Sequence, residues 1–173
     1  MTYQLALGER AYSSWSLRAW LLFEKFSIPF RQTMVTFHNK DVAEQLADFA
    51  PAITVPAVRF PDGTAIGESL AIAEELASRH PDLNLWPADP NARAVARSLA
   101  CEMHAGFSDL RTDCPMNLRL GYNAYQPSDA VRADVDRIEQ IWGRALNQFD
   151  GPWLCGSYSI ADAFYAPVAA RIE

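Results

Sequence analysis

The spacing of apolar residues changes several times along the first part of the chain. The segment YQLAL (residues 3–7) alternates weakly and stops at Gly8, which predicts a short strand. From Ser14 the apolar residues recur at helical spacing as far as Pro29, and a serine stands at the expected cap. The segment FRQTMVTF (30–37) returns to a period of two. This pattern predicts a strand, a helix and a second strand.

The next fifty residues predict a helix, a hairpin and another helix. KDVAEQLADF (40–49) has the spacing of a short helix, and TVPAVRF then meets TAIG across the turn sequence Pro61-Asp62-Gly63. ESLAIAEELASRH has helical spacing and ends at Pro81. Helical crossovers join parallel strands, so the first two strands should be parallel and the last two antiparallel. This order is typical of α/β layer packing.

After residue 83 the strand signal disappears. LNLWPADPNARA has the composition of a linker, and two long segments of helical period follow it, at 89–111 and 129–149. The sequence therefore predicts an α/β + all-α protein. We place an α/β domain at 1–82, a linker at 83–92 and an all-helical domain at 93–173.

Composition narrows the classes of function. The 173 residues are 50% apolar, which is enough for a sizeable core, and the net charge of −6 without a basic run argues against a nucleic-acid partner. The sequence has no stretch near the ~20 apolar residues that a membrane helix needs, and MTYQLALGER lacks the pattern of a secretory signal. Three cysteines without a C-x-x-C spacing suit reduced thiols, so we expect a cytoplasmic protein.

Serines crowd the predicted start of the first helix, at Ser13, Ser14 and Ser16. Helix capping explains one of them. A hydroxyl beside a helix N-terminus can also stabilise a bound anion such as a thiolate. Lowering a thiol pKa by two units requires about 2.7 kcal/mol, within reach of one charge-assisted hydrogen bond plus a helix terminus.

Two further segments have both a structural and a functional interpretation. Pro56 in TVPAV is an ordinary strand-entry proline, or a cis proline that turns the backbone of Val55 outward to pair with an extended ligand. Glu68 and Ser69 cap the third helix, or hold the ammonium and carboxylate groups of a ligand. GESLA also approaches the G-x-S-x-G motif of serine hydrolases, but Ala71 replaces its second glycine and the predicted hairpin does not suit it.

Two patterns in the second half favour structure over chemistry. Cys101 and His104 share a helix face, but no second pair with suitable spacing accompanies them, so we expect no metal site. Ser159 and Asp162 form an S-x-x-D variant of the capping box before an apolar helix. Loss of that box should harm folding more than chemistry.

These motifs follow one another in a familiar order. Over the whole chain the sequence resembles cytosolic glutathione S-transferases, in particular bacterial serine-type members of zeta- or theta-like class. The motifs that carry the resemblance are, in order, the serines before LRAWLLFEK, then TVPAV, GESLAIAEEL, LWPADPNARA and SIADA. The resemblance implies a thioredoxin-like N-terminal domain that binds glutathione and an all-helical C-terminal domain, usually in a homodimer. It also implies an enzyme that activates the glutathione thiol for attack on a small electrophile, without a metal.

The resemblance also implies roles for individual residues. SSWSLR is similar to the SSCSWR of zeta-class members, and this alignment implies that the Ser13 hydroxyl donates a hydrogen bond to the thiolate. A theta-like spacing before Arg18 favours Ser14 instead. Trp15 stands where the zeta class has cysteine, which argues against zeta-type isomerase chemistry. The remaining glutathione contacts would be Val55 and Pro56 for the cysteinyl part, Glu68 and Ser69 for the γ-glutamyl end, and His38 or Lys40 for the glycine carboxylate.

An electrophile pocket would be lined by Trp15, Phe107, Tyr122 and Tyr125, although core packing explains such aromatics equally well. Three other functions remain open: a non-catalytic glutathione-binding scaffold of the same fold, a glutathione-dependent isomerase and a serine hydrolase acting through Ser69. Family members continue through further helices, so we expect the helical domain to be incomplete at Glu173.

Overall fold

The computed structural model describes residues 2–38, 40–122 and 124–172. The chain forms two compact units, Met1–Leu83 and Asn84–Glu173. The outer domain limits expected at Met1 and Glu173 lie outside the described residues. In the described part of the chain, no helix is both long and apolar enough to span a membrane.

The first unit contains a four-stranded mixed sheet with helices on both faces. Its elements are, in order, β1 (Tyr3–Leu7), α1 (Ser14–Lys25), β2 (Phe30–Met34), α2 (Val42–Gln45), a 3₁₀ turn (Ala47–Phe49), β3 (Ala57–Arg59), β4 (Ala65–Ile66) and α3 (Ser69–Arg79). The strand order is β2-β1-β3-β4. β2 is parallel to β1, and β4 is antiparallel to β3. Both predicted strand directions are confirmed, and the arrangement is thioredoxin-like.

Alternate residues of β1 are buried on opposite faces of the sheet. Tyr3 faces α1, and its ring lies 5.6 Å from that of Phe23. Leu5 and Leu7 are on the same face and are fully buried. Ala6 points to the other face, where it joins an apolar cluster with Val35, Leu46, Phe49 and Ala57. The sheet therefore carries a core on each side, which holds β1 in one register.

The register of the sheet brings four connecting segments to one end. Leu7, the last residue of β1, pairs with Met34, the last residue of β2. Ala57, the first residue of β3, pairs with Ala6. Ile66, the last residue of β4, pairs with Val58. The segments that follow β1, β2 and β4 and the segment that precedes β3 therefore all leave the sheet at the same end.

The hairpin turn between β3 and β4 lies at the opposite end and is tied to α3. Asp62 accepts a hydrogen bond from the backbone N–H of Thr64 and pairs with the Arg79 guanidinium at 2.7 Å. Gly63 has φ +92°, a conformation that glycine adopts without strain. These hydrogen bonds lower the pKa of Asp62 to about 2. The Thr64 N–H makes the largest contribution and the Arg79 guanidinium the next largest.

The second unit is all-helical, with α4 (Pro90–Ala105), α5 (Ser108–Asp113), α6 (Asp129–Gln148) and α7 (Ile160–Ile172). The sequence predicts one continuous helix over 89–111, and this is wrong. The helix breaks because Gly106 is extended and Phe107 is left-handed, with φ 58°. A Cβ on Gly106 would stand only 2.8 Å from the carbonyl oxygen of Glu102, so the close approach needs glycine.

The segment before α4 is folded onto this unit. Leu85 and Trp86, which lie in the predicted linker, are both buried. The carbonyl of Leu85 accepts a hydrogen bond from the N–H of Ile160 at 2.9 Å, at the start of α7. This part of the sequence has the composition of a linker, but it covers part of a core.

The predicted capping box at the start of α7 is confirmed. The Asp162 carboxylate accepts hydrogen bonds from the N–H of Ser159 at 2.8 Å and the N–H of Leu154 at 3.0 Å. The Ser159 hydroxyl lies 3.1 Å from the same carboxylate and accepts from the N–H of Ala161. Burial raises the pKa of Asp162, while these N–H groups oppose the rise.

Candidate active site

The first part of the site is the start of α1, directly after β1. Ser13 is the N-cap residue, and its hydroxyl oxygen accepts from the N–H of Ser16 at 3.4 Å. Ser16 is completely buried, and its oxygen accepts from the N–H of Gly8 at 2.9 Å. Ser14 is the first residue of the helix, and its hydroxyl has no hydrogen-bond partner among the described residues. The structural role expected for one serine therefore belongs to Ser13.

A buried cation lies one turn into this helix. The Arg18 side chain is 0% exposed, and its guanidinium carbon lies 4.4 Å from the ring centroid of Trp15. A guanidinium held over an indole face is attracted by the ring quadrupole, most strongly where water is excluded. This contact stabilises the Trp15 ring beside the serines.

The second part of the site is the segment that enters β3. The peptide bond between Val55 and Pro56 is cis. Within the described residues, neither the N–H nor the C=O of Val55 has a hydrogen-bond partner. These groups can pair with the main chain of an extended ligand in the manner of an added strand.

The third part is the start of α3, directly after β4. Glu68 has φ 63°, a strained conformation for a residue with a side chain and one that often occurs at functional sites. The next residue, Ser69, is only 2% exposed, and its hydroxyl has no hydrogen-bond partner in the described part of the chain. Because buried polar groups are almost always paired, this hydroxyl together with the helix N-terminus fits an anionic ligand group.

The same geometry argues against the serine hydrolase. A nucleophile elbow exposes its serine on a turn from strand to helix at the top of a parallel sheet. Ser69 instead follows β4, which is antiparallel to its neighbour.

His38 and Lys40 lie in the loop after β2, at the same end of the sheet as the serines, and both are exposed. Asn39, between them, lies outside the described residues. Phe37, the residue before His38, is not among the residues predicted from the sequence. Its ring lies against Gly8. Gly8 only marked the end of a strand, so no signal in the sequence indicated that an aromatic ring covers it.

The residues predicted for the electrophile pocket are distributed over both units. Trp15 belongs to the first unit. Phe107, in the second, is buried with its ring 6.3 Å from that of Tyr165, which is a core-packing contact. Tyr122 and Tyr125 are exposed, and a hydrogen bond with Cys114 raises the pKa of Tyr125. The pocket itself stays a prediction.

The part of the chain that the structure describes has no group of three His, Cys, Asp or Glu side chains placed to hold a metal ion. Its three cysteines are free, with Cys101 exposed and Cys155 buried.

Comparison with known proteins identifies the family of the chain. Residues 12–79 match the family described as Glutathione S-transferase, N-terminal domain. A probable maleylacetoacetate isomerase from Caenorhabditis elegans is 34% identical over 164 residues, which cover 92% of this chain and 73% of that protein. The glutathione S-transferase GstA of Escherichia coli O157:H7 is 35% identical over 121 residues, or 66% of this chain and 55% of that protein.

A solved structure supports the fold. A glutathione transferase homolog from Burkholderia, crystallised with bound glutathione, superimposes with a TM-score of 0.73 at 21% identity and covers 99% of this chain and 82% of that one. With its thioredoxin-like unit, its helical unit and a relative 34% identical over most of its length, the chain belongs to the glutathione S-transferase family.

Proposed function

We propose that this enzyme is a glutathione transferase, which binds glutathione at the end of the sheet in its first unit and activates the thiol for attack on a small electrophile. The observation that carries the proposal is the buried Ser69 hydroxyl, which has no partner among the described residues and lies at the N-terminus of α3. An anionic group of the ligand would complete its hydrogen bonding.

The chemical groups of glutathione match the three parts of the site and the loop after β2. The γ-glutamyl carboxylate pairs with Ser69 and the start of α3, and the neighbouring ammonium pairs with Glu68. The cysteinyl amide pairs with the main chain of Val55, next to Pro56. The glycine carboxylate lies toward His38 or Lys40.

The sulfur then lies at the start of α1, where Ser13 or Ser14 donates a hydrogen bond to it. The thiol loses its proton to solvent, and the helix N-terminus and the hydroxyl stabilise the thiolate. The thiolate forms a bond to an electrophilic carbon, and the electron pair leaves with the displaced group. The rate increase comes from a larger thiolate population and from proximity.

A second candidate is glutathione-dependent isomerisation, because the relative from Caenorhabditis elegans is named a probable maleylacetoacetate isomerase. Trp15 argues against it, since an indole N–H can donate a hydrogen bond but has none of the chemistry of a thiol. Assays with maleylacetoacetate and with a chlorinated aromatic electrophile, run on one preparation, separate the two functions.

We also propose a homodimer in the cytoplasm. The free state of Cys101, Cys114 and Cys155 supports a reducing compartment. Size-exclusion chromatography with light scattering tests the dimer.

The test of the function combines retention on immobilised glutathione with the ultraviolet spectrum of the bound thiolate across pH, using S-methylglutathione as a control that cannot ionise. We expect retention and a thiol pKa well below the value near 8.5 of a free thiol. Retention with an unshifted pKa would favour the non-catalytic scaffold. Absence of binding at millimolar glutathione would reject the proposal.

A further inference from the structure

Ser16 does not face the site, yet it connects the site to the sheet. Its side chain is 0% exposed, and its oxygen accepts the N–H of Gly8 at 2.9 Å. The same oxygen lies 2.9 Å from the hydroxyl oxygen of Ser13. The Ser16 hydroxyl therefore bridges the end of β1 and the N-cap of α1.

The direction of the hydrogen bond between the two hydroxyls follows from burial. Either oxygen can donate across this distance. The Ser16 hydrogen has no acceptor other than Ser13 among the described residues, and a buried donor without an acceptor is destabilising. Ser13 is only half-buried, so its own hydrogen has another direction available. The arrangement that satisfies both groups has Ser16 donating to Ser13.

On the basis of the proposed function, we infer that Ser16 is a positioning residue, which orients the Ser13 hydroxyl so that its hydrogen points at the glutathione sulfur. The oxygen of Ser13 accepts from the N–H of Ser16. With Ser16 also donating its hydroxyl hydrogen across the 2.9 Å between the two oxygens, the hydrogen of Ser13 points away from the helix. The chain of donors runs from Gly8 through Ser16 and Ser13 to the thiolate. Each donor in such a chain polarises the next, so Ser13 becomes a stronger donor.

The inference selects between the two serines that the sequence leaves open. Among the described residues the Ser14 hydroxyl accepts no hydrogen bond, so nothing orients or polarises it. Ser13 is both oriented and polarised by Ser16, and its position as N-cap is part of the same arrangement.

The test measures the thiol pKa of bound glutathione by ultraviolet difference spectra in Ser16→Ala, Ser13→Ala and the double variant. We expect Ser16→Ala to raise this pKa by about half a unit to one unit, because a charge-assisted hydrogen bond is weakened but not removed. In the Ser13→Ala background, Ser16→Ala should cause no further rise, since Ser16 acts through Ser13. Ser78→Ala, which removes an exposed serine hydroxyl from α3, is the matched control and should leave the pKa unchanged.

A purely structural role for Ser16 gives a different result: Ser16→Ala would lower the melting temperature and leave the thiol pKa unchanged, and this would overturn the inference. If Ser16→Ala does not fold, Ser16→Cys keeps a side chain of similar size with a weaker donor, and the pKa should again rise. If the wild type shows a depressed thiol pKa and neither Ser16 variant raises it, the inference about Ser16 is wrong while the proposed function still stands. A wild type that does not bind glutathione contradicts the proposed function instead.

Discussion

The ring of Phe37 lies against the Cα of Gly8, and a Cβ on Gly8 would collide with it. Gly8→Ala should displace this ring, which is 52% exposed and free to swing outward. We expect the free energy of unfolding to fall by about 1 kcal/mol, at the low end of the range for overpacking. The KM for glutathione should rise, because Phe37 stands at the end of the sheet where we propose that glutathione binds.

Phe37→Ala provides the control for Gly8→Ala, with chemical denaturation as the measurement. In the Phe37→Ala background the added methyl group has space, so Gly8→Ala should then cost much less stability. An equal loss in both backgrounds would show that the collision is not the cause.

Ser13 should contribute more to thiolate stabilisation than Ser14. We expect Ser13→Ala to lower kcat/KM by about tenfold to a hundredfold, the effect of losing one charge-assisted hydrogen bond of about 1.5–3 kcal/mol. Ser13→Ala also removes an N-cap, whereas glycine caps a helix nearly as well. Ser13→Gly therefore separates the two roles, since it should lose activity while the melting temperature changes little. A larger loss in Ser14→Ala would identify Ser14 as the donor instead.

Ser69 should be a residue that favours binding and contributes little to stability. Its hydroxyl is buried without a partner among the described residues, so Ser69→Ala removes no described hydrogen bond of the free protein. We expect the free energy of unfolding to change by less than about 1 kcal/mol, while the Kd for glutathione rises about tenfold or more. Calorimetric titration and thermal denaturation on the same samples provide both values. A large destabilisation with unchanged affinity would show a structural role.

Asp162 should behave in the opposite way. Asp162→Ala leaves the N–H groups of Ser159 and Leu154 buried without acceptors, so we expect a loss of stability of about 2–4 kcal/mol. Asp162→Asn keeps one acceptor oxygen and should lose less. In whatever fraction remains folded at low temperature, the pKa of the glutathione thiol should equal that of the wild type. A shift in that pKa would mean that Asp162 influences the chemistry.

The pairing of Asp62 predicts a dependence of stability on acid. Its pKa in the folded protein is lowered to about 2, against about 3.9 for an unperturbed aspartate. A carboxyl with a depressed folded pKa contributes its stability fully above the unfolded value, and that contribution is lost as the pH falls through the folded value. The difference in melting temperature between wild type and Asp62→Asn should therefore be constant above pH ~5 and shrink toward pH ~2. A constant difference over this range would contradict the role of the charge.

The fold of the first unit could be predicted because its signals are local. The two-residue period over 3–7 and the turn at Pro61-Asp62-Gly63 each depend on neighbouring residues, and the structure confirms a strand and a hairpin there. The break of the predicted helix at Phe107 could not be predicted, because an apolar period continues across it and tertiary packing decides the backbone conformation. The burial of Arg18 had no signal for the same reason, since its environment comes from the surrounding unit.

The site could be predicted only in part. Residue types and spacing indicated an anion-binding start of α1 and of α3, since capping chemistry is local. The inference in favour of Ser13 over Ser14 depends on the hydrogen bond between Ser16 and Gly8, which joins a helix to a strand and has no signal in the sequence. The Phe37 ring over Gly8 is likewise a contact between segments far apart in the sequence.

The strand order has a consequence for how the site loosens. β1 and β3 are bonded on both sides, whereas β2 and β4 are edges with one neighbour each. Edge strands fray before central ones, so amide protons should exchange fastest in β2 and β4. Ser13 and Val55 are attached to the two central strands, but His38 and Glu68 follow the two edges. Local opening of the edge strands would thus release the two ends of a bound tripeptide first. Its middle would stay bound until the central strands open.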